Sequence, residues 1–279
     1  MPTALAHDLA RALDPALLMA DTGQSPDAWQ QNVLRTEAKR LLLLCSRQSG
    51  KSTVTAALAF HTALYQAPAL VLLLSPSLRQ SQELFRKVLD VYRLIDETIP
   101  TEQESALRLE LSNGSRIVSL PGKEDTVRGF SGAKLLVIDE ASRVADSLYY
   151  AVRPMLAVSG GRMVCMTTPF GKRGFFHQEW TEGQGWEKVL ITAAQCPRIS
   201  KEFLAEERRT LGEWWFKQEY LCEFVDTVDQ VFAYADIMRA VTPDVLPLFN
   251  PNSPNEPPTG CHRLMLDRAV TPLFGKDSL

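Results

Sequence analysis

The sequence has no paired cysteines, no clustered histidines, no long apolar run and no excess of positive charge. Its five cysteines (Cys45, Cys165, Cys196, Cys222, Cys261) are scattered, with none in a C-x-x-C pair. That spacing offers neither a zinc signature nor a disulfide framework and fits a reducing, cytosolic setting. Four isolated histidines (His7, His61, His177, His262) suggest no metal cluster. No apolar stretch approaches the ~20 residues of a membrane span. Asp8 and Asp14 interrupt any basic-then-apolar leader, so no membrane partner is expected. The net charge of -3 lacks the basic signature of nucleic-acid binding, and any such contact must come from local patches. What is present is 279 residues, 45% of them hydrophobic, which suits one full α/β domain plus something smaller.

Within that frame, residues 41–53 (LLLLCSRQSGKST) carry the most information. Four leucines run into Gly50-Lys51-Ser52-Thr53, the order of a buried strand, a tight loop and a helix start. A phosphate-binding loop needs this order: small residues let backbone N–H groups curl around a triphosphate, the lysine reaches the β- and γ-phosphates, and the next hydroxyl holds Mg²⁺. The candidate nucleotide-binding set is therefore Ser46, Arg47, Gln48, Ser49, Gly50, Lys51, Ser52 and Thr53. The usual loop opens on glycine; Cys45 stands at that position here, and Arg47 and Gln48 lie inside the loop. The G-K-S tripeptide alone also fits an ordinary strand–turn–helix with an exposed lysine.

A second motif decides between these readings. Leu135-Leu136-Val137-Ile138-Asp139-Glu140 reads as a central parallel strand ending in two acids. Ligands bind at the carboxyl ends of strands in open α/β sheets. Asp139 is placed to bind Mg²⁺, and Glu140 to polarise the water that attacks the γ-phosphate. A buried strand with two solvated acids is the plainer reading of this motif taken alone. Together, and in this order along the chain, the two motifs favour ATP with Mg²⁺. A further strand, Arg162–Met166, ends in Thr167-Thr168-Pro169, whose hydroxyls can sense a γ-phosphate; a plain turn set by Pro169 is the alternative.

The rest of the chain organises around these motifs. Residues 1–28 are alanine-rich and partly helical, and a short amphipathic helix opens at Pro26-Asp27-Ala28-Trp29-Gln30-Gln31. Gln30, just upstream of the loop, has the donor and acceptor to bond an adenine edge; a helix start with a packed tryptophan is the plainer reading. Residues 70–74 form a second buried strand. The helix over about 78–97 carries Arg79, Arg86, Lys87 and Arg93, which suit either a phosphate backbone or a solvated face. Residues 107–120 read as a hairpin around Ser112-Asn113-Gly114-Ser115, 122–132 as a polar mobile loop containing Arg128, 187–193 as a strand and 200–224 as a helical pair. Six prolines between 243 and 258 mark a linker.

As a set, P-D-A-W-Q-Q at 26–31, S-R-Q-S-G-K-S-T at 46–53, V-R-G-F-S-G-A-K-L-L-V-I-D-E-A at 127–141, T-T-P at 167–169 and Q-E-Y-L-C-E-F at 218–224 resemble the large subunit of tailed-bacteriophage terminases. The resemblance covers about residues 25–225. It implies a P-loop NTPase of the ASCE/RecA-like kind, an α/β fold with a central, mostly parallel sheet flanked by helices. On this resemblance residues 1–225 are the packaging ATPase domain, 226–260 a Pro-rich linker, and 261–279 the truncated start of an RNase H-like nuclease domain. The family's loop tolerates loss of its first glycine and carries an arginine like Arg47. Residue by residue, the resemblance gives Gln30 adenine recognition, and Arg47, Lys51, Ser52 and Thr53 phosphate and Mg²⁺. It makes Asp139 a metal ligand, Glu140 the catalytic carboxylate and Thr167-Thr168 the coupling element, with Arg128 an arginine finger reaching a neighbouring subunit.

The implied function is Mg²⁺-dependent ATP hydrolysis coupled to moving double-stranded DNA into a procapsid, in the host bacterial cytoplasm. The implied partners are a small terminase subunit and a portal, with copies of the chain assembled as a ring. Arg263–Leu273 resembles the first strand of the nuclease domain, with Asp267 at the first metal position. One acid cannot make a two-metal site, so no nuclease activity is expected, and a truncated or split gene product is implied. Two other readings stay open: an inactive prophage remnant that binds ATP, and a helicase-like P-loop ATPase, which would need a second RecA-like domain.

Overall fold

The computed structural model describes residues 4–95, 99–122, 127, 129–226 and 239. All of these but Arg239 fall in the first of two units into which the chain divides, Met1–Ala233. The candidate Arg128, the expected nuclease-like segment 261–279 with Asp267, and the expected linker apart from Asp226 and Arg239 lie outside the described residues.

Apolar runs that are buried on both faces become central parallel strands. Strand β1 (Arg40–Cys45) is buried from Leu41 to Cys45, and β2 (Leu70–Ser75) throughout. After β3 (Thr101–Glu104), β4 (Arg108–Leu111) and β5 (Arg116–Pro121) come the equally buried β6 (Leu135–Asp139), then β7 (Arg162–Thr167) and β8 (Glu187–Ile191). Among the described residues they form one eight-stranded sheet in the order β3-β4-β5-β2-β6-β7-β1-β8. The pairs from β5 to β8 across this order are parallel, and β3 and β4 add antiparallel to the edge. The expected hairpin at 107–120 is β4–β5. The interposed β7 separates the loop-bearing β1 from the acid-bearing β6.

The two-residue period of a strand sends alternate side chains to opposite layers. Leu41, Leu43 and Cys45 pack into a core with Phe60 of α4 (Lys51–Tyr65) and Phe85 of α5 (Leu78–Leu94). Leu42 and Leu44 enter the opposite core with Tyr149 of α6 (Asp146–Val152) and Phe175 of α7 (Gly174–Thr181). The Tyr149 and Phe175 rings stack at 4.1 Å. On the first layer lie α1 (Ala4–Leu13), α2 (Pro15–Asp21) and α3 (Ala28–Arg35); Leu18, Val33 and Leu34 of the latter two join the Phe60 core. The expected helical pair at 200–224 is α8 (Lys201–Tyr220), broken where Gly212 leaves helical geometry at φ 75°. Among the described residues no helix is long and apolar enough to cross a membrane.

Parallel strands share one direction, so Cys45, Ser75, Asp139, Thr167 and Ile191 gather at one edge of the sheet, and Arg40, Leu135, Arg162 and Glu187 at the other.

Candidate nucleotide site at the carboxyl-terminal edge

The loop from β1 to α4 turns on two left-handed residues, Gln48 at φ 59° and Gly50 at φ 93°. Gly50 is required twice over. Its φ disfavours any side chain, and a Cβ there would lie 2.8 Å from Gln30 Nε2 and 3.3 Å from an Arg198 nitrogen. The turn starts α4 at Lys51, so the first N–H groups of that helix, which have no intrahelical partner, open onto the loop.

The loop lysine and the β6 acids converge. Lys51 Nζ lies 3.0 Å from Glu140 Oε1. Burial works against the Lys51 charge, but Glu140 and Asp139 outweigh it and raise its pKa. Asp139 is buried at 7% exposure, and its Oδ1 accepts the Glu140 N–H at 2.9 Å. Burial first, and the neighbouring Glu140 charge second, push its carboxyl up to about 6. Glu140 itself is left-handed, at φ 48°, a sparsely populated conformation that recurs at functional sites. On its other side Thr168 Oγ1 donates to Glu140 Oε2 at 3.5 Å. The Thr167 hydroxyl is spent internally, donating to Thr168 O at 2.7 Å and accepting from Ser142 N–H at 3.3 Å.

The remaining predicted residues are placed less simply. Ser46 is fully buried and its N–H donates to Ile191 O, so it closes the loop against β8. Ser49 is buried as well. Arg47 turns away from Lys51: its Nε lies 2.6 Å from Glu219 Oε2 in α8, and its N–H donates to Glu219 O. Gln30 is buried with both ends of its amide in use, Oε1 accepting from Asp27 N–H at 2.9 Å and Nε2 donating to Gly50 O at 3.4 Å. An adenine edge read by Gln30 would have to replace these bonds. Burial pushes the Cys45 thiol up to about 12, so the residue at the missing-glycine position is an inert packing group.

Two partners escaped sequence reasoning. Arg198 grips Asp27 through both nitrogens, at 2.9 and 2.7 Å, and donates to Ser49 O at 2.9 Å. It therefore ties the entry of α3 to the phosphate loop, and no local pattern around Pro197-Arg198 signals that contact. Glu219 sits in the Q-E-Y motif, which was visible without its role. Met19, Gln24, Ser25, Gln30, Gly50, Thr53 and Arg198 line a cavity of about 360 Å³ beside the loop.

The family model described as terminase large subunit, T4likevirus-type, N-terminal, matches residues 42–239. The large terminase subunit of Thermus phage G20c is 24% identical, with 77% of this chain and 52% of that protein covered. That of Escherichia phage T5 is 25% identical, with 77% and 51% covered. The chain thus spans about half the length of the curated relatives it matches. Among solved structures, the large terminase ATPase domain of Thermus phage P74-26 aligns with a TM-score of 0.66 at 24% identity, covering 74% of this chain and 97% of that one. The large terminase of a thermophilic bacteriophage, solved in complex with ATP-gamma-S, aligns with a TM-score of 0.57 at 14% identity, covering 71% and 53%.

Proposed function

Because this chain belongs to the terminase large-subunit N-terminal family, we propose that it is the ATP-hydrolysing motor domain of a DNA-packaging machine. The observation that carries the reading is the convergence of Lys51 and Glu140 at 3.0 Å, beside a buried Asp139 and at the strand edge where the loop helix begins.

The residues divide the work as follows. The N–H groups at the start of α4 and the Lys51 ammonium bind the β- and γ-phosphates. An incoming phosphate competes with Glu140 for Lys51, and the carboxylate so released accepts a proton from the water attacking the γ-phosphorus. The bond from that phosphorus to the β-bridging oxygen breaks, giving ADP and phosphate. Thr168, already bonded to Glu140, orients the carboxylate and links its state to the 167–169 segment. Asp139 and the Ser52 hydroxyl are hard oxygen donors of the kind Mg²⁺ takes, and they would hold it. Bound Mg²⁺ would neutralise charge on the phosphates. Gln30 and the adjoining cavity would take the base, and Arg47, released from Glu219, would reach phosphate. Arg128 is proposed to act on a neighbouring subunit's nucleotide in an assembled ring.

Residues 1–225 serve as the motor domain in this proposal, with double-stranded DNA as the cargo and a small subunit and portal as partners. The test is ATP hydrolysis by the purified chain with and without long double-stranded DNA. A rate that rises with DNA and is lost in Lys51→Ala supports the proposal; hydrolysis indifferent to Lys51 overturns it. Mixing Arg128→Ala with Lys51→Ala chains tests the finger, since activity in mixtures that does not differ from the sum of the parts removes the role in trans.

A further inference from the structure

The opposite edge of the sheet holds a larger cavity, of about 700 Å³, walled by the ends of α1, α3 and α4 and by the segments entering β1, β6 and β7. That volume lies within the ~300–1,000 Å³ of small-ligand sites. Its charged lining is Arg35, Lys39, Lys134 and Arg162 against Asp14 and Glu37, a cationic excess in a chain whose net charge is -3. Asp14 is already spent: it takes Arg35 through both carboxylate oxygens, at 3.0 and 2.7 Å. Among the described residues the ammonium groups of Lys39 and Lys134 have no ion-pair or hydrogen-bond partner. Arg162 Nη2 donates to Val33 O at 3.3 Å, while its Nε is buried with no partner. The nearby acid acting on Arg162 is Glu187, which itself accepts a hydrogen bond from Thr36 at 2.6 Å. A buried donor without an acceptor is costly and calls for a partner such as a water or an ion. His61, on the same wall, has its Nε2 engaged by Arg11 O.

We propose that this cleft is a second anion site, in which Lys39, Lys134 and Arg162 together bind a phosphate group. Two ammonium point charges and a planar guanidinium around one concavity match a tetrahedral dianion with several acceptor oxygens. The phosphate comes either from free inorganic phosphate, a product of nucleotide hydrolysis, or from a DNA backbone passing this edge. The site is independent of the loop at the far end of the strands.

The experiment records amide spectra of the isotope-labelled chain, with its phosphate loop saturated by ADP, as inorganic phosphate or a short DNA duplex is added. Gly160 and Gly161 line the cleft and serve as reporters. Their resonances are expected to shift with at least one of the two probes. The midpoint should rise about tenfold or more in Lys39→Ala/Lys134→Ala, as for the loss of charge-assisted hydrogen bonds. A shift with inorganic phosphate supports the free anion, and a shift with the duplex alone supports the backbone. No shift with either probe, or a midpoint unchanged in the double variant, overturns the site.

Discussion

At the carboxyl-terminal edge of the sheet, Lys51 lies 3.0 Å from Glu140, Arg47 lies 2.6 Å from Glu219, and Arg198 grips Asp27. At the amino-terminal edge Arg35 is paired with Asp14, while among the described residues the ammonium groups of Lys39 and Lys134 have no ion-pair partner. Both edges concentrate cations beside a cavity; the first pairs Lys51, Arg47 and Arg198 with carboxylates, whereas the second pairs Arg35 and leaves its two lysines without an ion-pair partner among the described residues. The difference separates two ways of binding an anion. Where each cation already has a carboxylate, the proposed mechanism has the ligand bind by exchange: its phosphate outcompetes Glu140 for Lys51, and the exchange frees Glu140 for chemistry. Where the cations are unpaired, binding needs no exchange and releases no catalytic group. On these proposals the carboxyl-terminal edge serves turnover and the lysine-bearing edge serves holding.

The strongest way to break this comparison is at the carboxylate. Glu140→Gln should lower ATP turnover about 10²–10⁴-fold, the usual contribution of a positioned general base; a steady-state rate within a few-fold of the parent would remove Glu140 from that role. Two glycines, one at each edge, come next. At Gly161 an added Cβ would overlap the Ala133 carbonyl, so Gly161→Ala should cost about 2–3 kcal/mol in denaturant unfolding because backbone must move. Gly50→Ala meets the flexible end of Gln30 and a φ of 93°; about 1–2 kcal/mol is expected there. If Gly50→Ala cost more than Gly161→Ala, the clash with the Ala133 carbonyl would not be the larger of the two penalties.

Smaller effects probe the supports. Arg198→Ala removes the tie between Asp27 and the Ser49 carbonyl, and because Arg198 is partly exposed the loss should be only about fivefold in nucleotide affinity. An unchanged dissociation constant would make Arg198 a surface pair without influence on the loop. Least in size is a pH effect. Burial lowers the His61 pKa below its usual 6.5, so between the two values the unfolded chain binds the extra proton. His61 therefore contributes stability that is fully present above about pH 6.5 and is lost as the pH falls below it. The thermal midpoint should drop on acidification through that window, and His61→Gln should flatten that part of the profile.

How much of this was legible in the sequence follows from the range of each interaction. The strands β1, β2 and β6 announce themselves because burial on both faces needs uninterrupted apolar runs. Lys51, Asp139 and Glu140 were legible because each sits at the end of such a run. β3, read from Thr-Glu-Gln-Glu, has no apolar face and exists through its pairing with β4. α7 lies in a stretch rich in glycine and aromatics with no clear helical period; its first turn is fixed by Asp146, whose Oδ1 accepts the Phe175 N–H at 2.7 Å. The motif around Gln30 was visible, but not that its amide turns inward to Asp27 and Gly50. The Arg198–Asp27 pair joins residues 171 positions apart, and the Arg47–Glu219 pair reaches from the phosphate loop to the far end of α8; no local pattern encodes either.

The most direct test of the exchange account is the nucleotide affinity of Glu140→Gln, measured by titration of ATP under conditions where turnover is negligible. If Glu140 competes with phosphate for Lys51, removing its charge should tighten ATP binding while abolishing hydrolysis. Weaker ATP binding in that variant would contradict the account, because it would mean that Glu140 helps to hold the nucleotide rather than yielding Lys51 to it.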